Sequence, residues 1–430
     1  MSVKFDRLLP WIVVFSASTF FFFEFMQVNM FNALDPYLFK AYHLTDTIQL
    51  GHLSANYMYA NVLFLFPVGV LLDRFSTRRL ISWAMFVCVT CTLVFSFTTQ
   101  LWQGEICRFI TGIGGAFCLL SCVRLASRWF PAKQMALVVG LIVTFAMLGA
   151  MIAQTPFTIL VEDFGWRKTL LVDALLGYLM LILVFAFVKD YPAGQEKIIK
   201  AQQRTLYAEG VFHSVINALK NSQNWLAGVY AALINLPVFL LGNWGEMYLG
   251  QIRQLTPRKA SVITSMMFVG LAIGSVLFGW LSDRFSRRRL PMILGAIVCL
   301  LVVLPIMYWE AADYFSLIMM FFLLGIAMGS QIISYAVIAE SNRESLVGAS
   351  EGVASVLIMS GGFLIPTFSY ILDLNWQLHF QNGIPSYSVQ AYHWAFSIMP
   401  FGFVLSLIAV LAMQETYCRS YSERKTHATT

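Results

Sequence analysis

The ten residues LLDRFSTRRL, Leu71 to Leu80, return 210 positions later as LSDRFSRRRL, Leu281 to Leu290, with eight of the ten identical. Each copy closes a long apolar run and follows a glycine four residues ahead of its aspartate, Gly69 before Asp73 and Gly279 before Asp283. A repeat at half the chain length implies two copies of one structural unit rather than a string of unrelated domains. Glycines at such places let helices approach closely inside lipid.

Working outward, the surrounding sequence is membrane sequence. Hydrophobic residues make up 59% of the chain and charged residues 12%, with a mean hydropathy of +0.72. Soluble chains carry about a quarter charged residues. A spanning helix needs about 20 apolar residues. Twelve segments meet that length, at roughly 11–34, 50–72, 80–98, 101–126, 136–160, 168–188, 225–247, 260–281, 290–308, 315–339, 350–372 and 393–413. They read as helices, because lipid cannot satisfy an open backbone and barrel strands would alternate polar and apolar residues. The expected organisation is an all-α membrane protein: a six-helix bundle over 1–188, a cytoplasmic linker over 189–224, a second six-helix bundle over 225–413 and a cytoplasmic tail over 414–430.

Charge sets the orientation. Of the 28 Lys and Arg, twenty fall in loops on the side of the two termini, and six (Lys40, Arg167, Lys168, Arg253, Arg258, Lys259) on the other. The positive-inside bias puts both termini in the cytoplasm. The net charge of +6 then belongs to an anionic lipid leaflet. Basic residues scattered over short loops give no nucleic-acid surface. The first apolar run is too long for a signal-peptide core and lacks a small-residue cleavage site. In the linker, Ile198, Ile199, Leu206, Val211, Phe212, Val215, Ile216 and Leu219 read as amphipathic helix lying on the membrane surface. The external loop from Asp373 to Tyr392 reads as irregular. Seven cysteines, including Cys88 and Cys91, lie in apolar surroundings without a second pair or a histidine and read as small hydrophobes. No Asn-x-Ser/Thr sequon occurs, in keeping with a bacterial inner membrane.

A few polar residues interrupt the apolar segments, and these carry the chemistry. Glu24 sits mid-segment in the run Phe20 to Gln27, FFFFEFMQ. Phenylalanine neighbours strip a carboxylate of its hydration, so the group can exchange its proton under physiological conditions and couple proton entry to a conformational change. Arg108 lies within the fourth segment, where an unpaired guanidinium is costly and demands an anionic or carbonyl partner. The two read as a proton-coupling pair, Arg108 doubling as an anchor for a substrate anion. A permanently paired Glu24 and an Arg108 bonded to the first helix are the structural alternatives. Asp173, in the sixth segment, reads as a packing residue. Asn56, Tyr57 and Asn61 lie mid-membrane in the second segment, and Pro237 permits a bend in the seventh beside Asn235 and Asn243. No nucleotide-binding loop, metal cluster or nucleophile–base set is present in the sequence, so neither an enzyme nor a cofactor is expected.

Both copies of the opening stretch fit Gly-x-x-x-Asp-Arg-x-x-x-Arg-Arg, and by them the chain resembles the major facilitator superfamily. The segment from Arg108 to Gly115, RFITGIGG, resembles that family's fourth helix, and Arg128 to Pro131 and Phe164 to Arg167 resemble its loops. The resemblance implies two six-helix bundles related by a pseudo-twofold axis along the membrane normal, with substrate held near the midplane and access alternating. It implies a gating motif of Gly69, Asp73, Arg74, Arg78, Gly279, Asp283, Arg284 and Arg288. In it, Asp73 would meet the start of the eleventh helix near Ser350, and Asp283 the start of the fifth. It places spans 1, 4, 7 and 10 around the cavity, so Gln27, Asn235, Gln331 and Tyr335 join Asn56, Tyr57, Asn61 and Arg108 as candidate substrate contacts. The fifth segment keeps Gly140 and Gly149 of the antiporter pattern, but Ala153 and Gln154 replace its Gly-Pro and Phe157 and Thr158 its closing glycines. The first half is similar to the superfamily's phagosomal and lysosomal small-nutrient carriers. The expectation is a monomeric inner-membrane transporter of an amino acid, short peptide or organic anion, driven by proton symport. An exporter of a metabolite, siderophore or drug, and a non-transporting receptor of the same fold, are the alternatives.

Overall fold

The computed structural model describes residues 2–130, 135–192, 194, 211–342, 347–376, 380–381 and 384–419. It divides into two compact units, Met1–Arg204 with Phe380–Pro385, and Thr205–His379 with Ser386–Thr430. The dividing point falls inside the expected linker. In the first unit the helices are α1 (Ser2–Asn29), α2 (Phe31–Ala41), α3 (Thr47–Arg74), α4 (Thr77–Phe95), α5 (Leu101–Gly115), α6 (Cys118–Trp129), α7 (Met135–Phe164) and α8 (Trp166–Phe187). In the second they are α9 (Val211–Lys220), α10 (Ser222–Ile234), α11 (Leu236–Arg253), α12 (Pro257–Phe285), α13 (Arg289–Tyr308), α14 (Tyr314–Met328), α15 (Ile333–Ser341), α16 (Val347–Ser360), α17 (Leu364–Leu374), α18 (Val389–Phe396) and α19 (Ile398–Ala412).

Among the described residues, eleven helices or helix pairs are long and apolar enough to cross a membrane, and each coincides with an expected segment. The remaining segment, 50–72, lies within α3, one continuous helix of 28 residues. Several spans are jointed. The first breaks at Met30 between α1 and α2, the fourth between Gly115 and Cys118, and the seventh at Asn235 just ahead of Pro237. The tenth and eleventh each contain a 3-10 turn, Gly329–Ile332 and Gly361–Phe363. The fifth runs straight through Pro156 as the 30-residue helix α7. Loop ends are fixed by side chains: Asp46, Ser76, Asn221, Asp313 and Ser388 each accept a hydrogen bond from a backbone amide in the first turn of α3, α4, α10, α14 and α18. At Asp313 the Ser316 hydroxyl and amide hold the carboxyl below its ordinary range.

Glycines set the closest helix crossings, though not the two singled out by the repeat. A Cβ on Gly69 or Gly279 would meet no atom within 4 Å. The tight crossings lie deeper. In the first unit a Cβ on Gly112 would stand 2.2 Å from the Tyr57 carbonyl oxygen, and one on Gly149 2.2 Å from that of Phe22. In the second, Gly270 and Gly274 of α12 interlock with Gly325 and Gly329, where an added Cβ would meet backbone at 2.0–2.2 Å. Backbone-to-backbone contact of this kind replaces the hydrophobic drive that lipid cannot supply.

Three loop expectations are amended. Only the later part of the amphipathic linker is described, as α9; Ile198, Ile199 and Leu206 lie outside the described residues. The external loop holds a small antiparallel ladder of β1 (Phe380–Gln381) and β2 (Ile384–Pro385), which contacts α2, and the twelfth span begins in it with α18. The start of the tail is docked rather than free: the Gln414 amide donates to Gln223, and the Thr416 hydroxyl to Glu340 at 2.5 Å.

Candidate functional site

Three helices of the first unit bring Glu24, Tyr57 and Arg108 together. Glu24 on α1 is 5% exposed, and its carboxylate accepts a hydrogen bond from the Tyr57 hydroxyl at 2.6 Å; nearby, the Cys118 thiol of α6 donates to the Phe20 carbonyl at 3.8 Å. Tyr57 on α3 is wholly buried. It reaches Glu24 because α5 presents glycines there: a Cβ on Gly115 would lie 2.0 Å from the Tyr57 hydroxyl. One turn before Gly112, Arg108 lays its guanidinium 4.7 Å from the centre of the Tyr57 ring and 4.6 Å from that of Phe31 on α2. Aromatic faces stabilise a desolvated cation.

They leave its donors unused. Arg108 is 2% exposed, and neither Nε nor Nη1 has a hydrogen-bond partner among the described residues. The expectation of an anionic or carbonyl partner is therefore not met at those atoms, and no ion pair to Glu24 occurs among the described residues. A buried N–H without an acceptor is costly. A desolvated guanidinium with unpartnered N–H groups calls for an anionic acceptor.

Gln27, one turn beyond Glu24, is engaged elsewhere. Its amide nitrogen donates to Asp173 of α8 at 2.6 Å, and its oxygen accepts from Thr92 of α4 at 3.0 Å. Both ends of the amide are used in tying α1, α4 and α8, so Gln27 does not join the Arg108 cluster. Asp173 is buried, with Oδ1 unpartnered among the described residues. Asn61 is buried beside Tyr57, its Nδ2 3.1 Å from where a Gly115 Cβ would be, whereas Asn56 is half-buried. Gln154, in place of the antiporter Gly-Pro, accepts from Asn32 at 2.7 Å and donates to the Asn29 carbonyl at 3.3 Å, bracing the joint of the first span against α7.

The second unit offers mostly neutral groups at the expected positions. Asn235 occupies the α10–α11 joint, Gln331 the 3-10 turn, and Tyr335 lies a turn further on, near Ser355 and Glu351 of α16. Glu351, Ser355 and Phe31 were missed in the sequence. Glu351 stands near the end of a span among small residues, where it reads as a loop charge. Asn243 Oδ1 and Trp244 Nε1 are buried without a partner among the described residues, and Tyr230 bridges the Met292 carbonyl and Ser330.

At the motif ends, the side chains of Asp73 and Arg74 lie outside the described residues. Arg78 donates to the Phe185 carbonyl at 2.7 Å. Asp283 is held by Arg288 at 2.6 Å, and Arg288 also grips Glu340 at 2.7 Å. Burial works against the Arg288 charge, but Glu340 and then Asp283 more than offset it, and its pKa stands above the ordinary arginine value. Arg284 is exposed. Ser350 accepts from Asn224, which is paired with Asn342. Two acids missed in the sequence cap the third helix of their unit. Asp190 accepts from Ser76 and the Arg78 amide, and Glu415 from the amides of Arg288 and Arg289. Each is the third residue past the last helix of its unit, an offset that the sequence does display.

A sequence model of the Major Facilitator Superfamily matches residues 17–256 and again 227–426. The chain is similar to the "Probable galactarate/D-glucarate transporter GudP" of Escherichia coli K12, 23% identical over 75% of this chain and 78% of that protein. It is equally similar to the "Membrane sensor protein UhpC" of Salmonella typhimurium, 23% identical over 78% of both chains. In three dimensions it matches a bacterial homologue of the human lysosomal transporter Spinster, with a TM-score of 0.70 and 14% identity over 94% of this chain and 95% of that one. That likeness bears on the fold alone.

Proposed function

We propose that this chain, which belongs to the Major Facilitator Superfamily, carries small organic anions into the cell by alternating access, in symport with protons. The observation that carries the proposal is Arg108, buried between two rings with Nε and Nη1 unpartnered. A substrate carboxylate would bring both an acceptor and a balancing charge, and a neutral solute would bring no charge. The name of the Escherichia coli relative, for two sugar diacids, agrees with this chemistry. Glu24 is the proton site in this reading. Asp73 and Asp283 are the gate of the resting state, with both termini in the cytoplasm and the inner membrane as the location.

A second reading has its own support. A relative named as a sensor is as similar as the one named as a transporter, so a receptor that binds an organic anion without moving it is the runner-up.

Proteoliposomes separate the two. With acid outside, the wild type is expected to accumulate radiolabelled D-glucarate above its equilibrium level. Glu24→Gln abolishes that accumulation but keeps counterflow. Binding without flux in the wild type selects the receptor. Accumulation that Glu24→Gln leaves unchanged removes the proton role from Glu24.

A further inference from the structure

Glu24 and Arg108 are not paired with each other, yet one side chain touches both. Tyr57 donates its hydroxyl to Glu24 at 2.6 Å and offers its ring face to Arg108 at 4.7 Å. We propose that Tyr57 is the positioning residue that links proton and anion occupancy, holding Arg108 on its ring while Glu24 is ionised and releasing it when Glu24 takes up a proton. The inference rests on the organic-anion reading of Arg108.

The physical argument runs through the phenol. Donation to an anionic carboxylate draws the hydroxyl proton outward and leaves the ring richer in electrons, which strengthens its hold on a guanidinium. When Glu24 gains a proton its carboxyl no longer attracts the hydroxyl as an anion would, and the ring loosens its hold. Arg108, whose Nε and Nη1 are unpartnered among the described residues, can then leave the ring to meet a carboxylate.

The other groups around Glu24 do not provide this link. Cys118 and Cys122 of α6 and Cys88 of α4 are thiols on its periphery. On α8, Asp173 is engaged by Gln27; on α2 the buried acid is Asp35; α7 meets α1 at Gly149 through backbone. Cys88 lies in the field of both charges but bonds the Thr111 carbonyl, whereas Tyr57 joins the carboxyl to the guanidinium by a hydrogen bond and a ring contact. Gly115 makes this possible, because a methyl there would occupy the place of the hydroxyl.

Linkage is reciprocal, so proton and anion must strengthen each other's binding by the same factor. The test measures D-glucarate affinity against pH on purified full-length protein. Through the titration of Glu24 the wild type is expected to tighten by about tenfold per pH unit, the limit for one linked proton. Tyr57→Phe keeps the ring and removes the hydroxyl. Its affinity at low pH is expected to stay within about threefold of wild type, while the pH slope flattens to less than about twofold per unit. Gly115→Ala, which displaces the hydroxyl by another route, should flatten the slope as well. A tyrosine of purely structural value would lower affinity at every pH and keep the slope, and that result overturns the proposal. So does a wild-type slope in Tyr57→Phe. Infrared difference spectra read the same link without ligand: protonation of the Glu24 carboxyl must move the Tyr57 ring band, and a stationary band overturns the link. A wild type that binds no D-glucarate but shows the moving band would sink the substrate class and uphold the link.

Discussion

The penultimate residue of α6 is Arg128, and the penultimate residue of α15, at the matching end of the other unit, is Glu340. The same place in the same scaffold carries opposite charge. Arg128 bonds Thr77 at 3.1 Å and lies 3.7 Å from Asp190, the acid that caps α4. Glu340 draws Arg288 inward, and Arg288 in turn holds the motif aspartate Asp283. Deeper in the membrane the contrast reverses. The first unit buries Glu24, Arg108 and Asp173; the second buries Tyr230, Asn243, Trp244, Ser330 and Ser334 with, among the described residues, the single acid Glu246, and joins Arg288 to Asp283 and Glu340 at helix ends. The same scaffold thus buries acids with a base in one unit and mostly neutral groups in the other.

The sharpest attack on that contrast is Arg108→Lys. A compact ammonium cannot lie flat between the two rings and still present a planar set of donors, and loss of the desolvated contact is expected to cost about 2–5 kcal/mol, roughly thirtyfold or more in D-glucarate affinity. Equilibrium binding measures it, and a loss below threefold would show that any cation serves. Next comes Arg288→Met, which strips the guanidinium from the largely buried Glu340 at a cost of about 3 kcal/mol. Thermal unfolding in detergent reads the loss, and adding Glu340→Leu should recover most of it. Because the Arg288 pKa is raised by folding, its contribution is complete at every pH below the ordinary arginine value, so this loss should not vary across the physiological range. The corresponding Arg128→Met, with its longer 3.7 Å pairing, should cost less. Smallest are the caps: Glu415→Gln and Asp190→Asn should each remove about 1 kcal/mol from their own unit, and equal effects would show that this device escaped the charge inversion.

Much of this was written in the sequence. Glu24 and Arg108 stand out because ionisable residues are rare in apolar runs, and the repeat marks two units because ten residues recur almost unchanged. What the chain alone withholds is which helices touch. Phe31 looks like an ordinary membrane aromatic, and Tyr57 only like a candidate substrate contact, until α3 and α2 are seen to bring both rings to Arg108. Gln27, by sequence a cavity candidate, proves to be the brace between Asp173 and Thr92 because helical phase within a bundle is decided by neighbours. Gly69 and Gly279 misled for a related reason: conspicuous by their motif, they face open space, whereas Gly112, Gly149 and Gly274 carry the crossings. Asp190 and Glu415 were legible in principle, sharing an offset from the end of a span, but only the cap geometry reveals what the offset is for.

Those caps also bear on how the chain is made. The amides at the head of α4 wait 112 residues for Asp190, and that of Arg289 waits 126 residues for Glu415. At about 5–20 residues per second of synthesis, the second interval lasts roughly 6–25 s. Each cap therefore forms only after the last helix of its unit has been made. The first is closed well before the second can be.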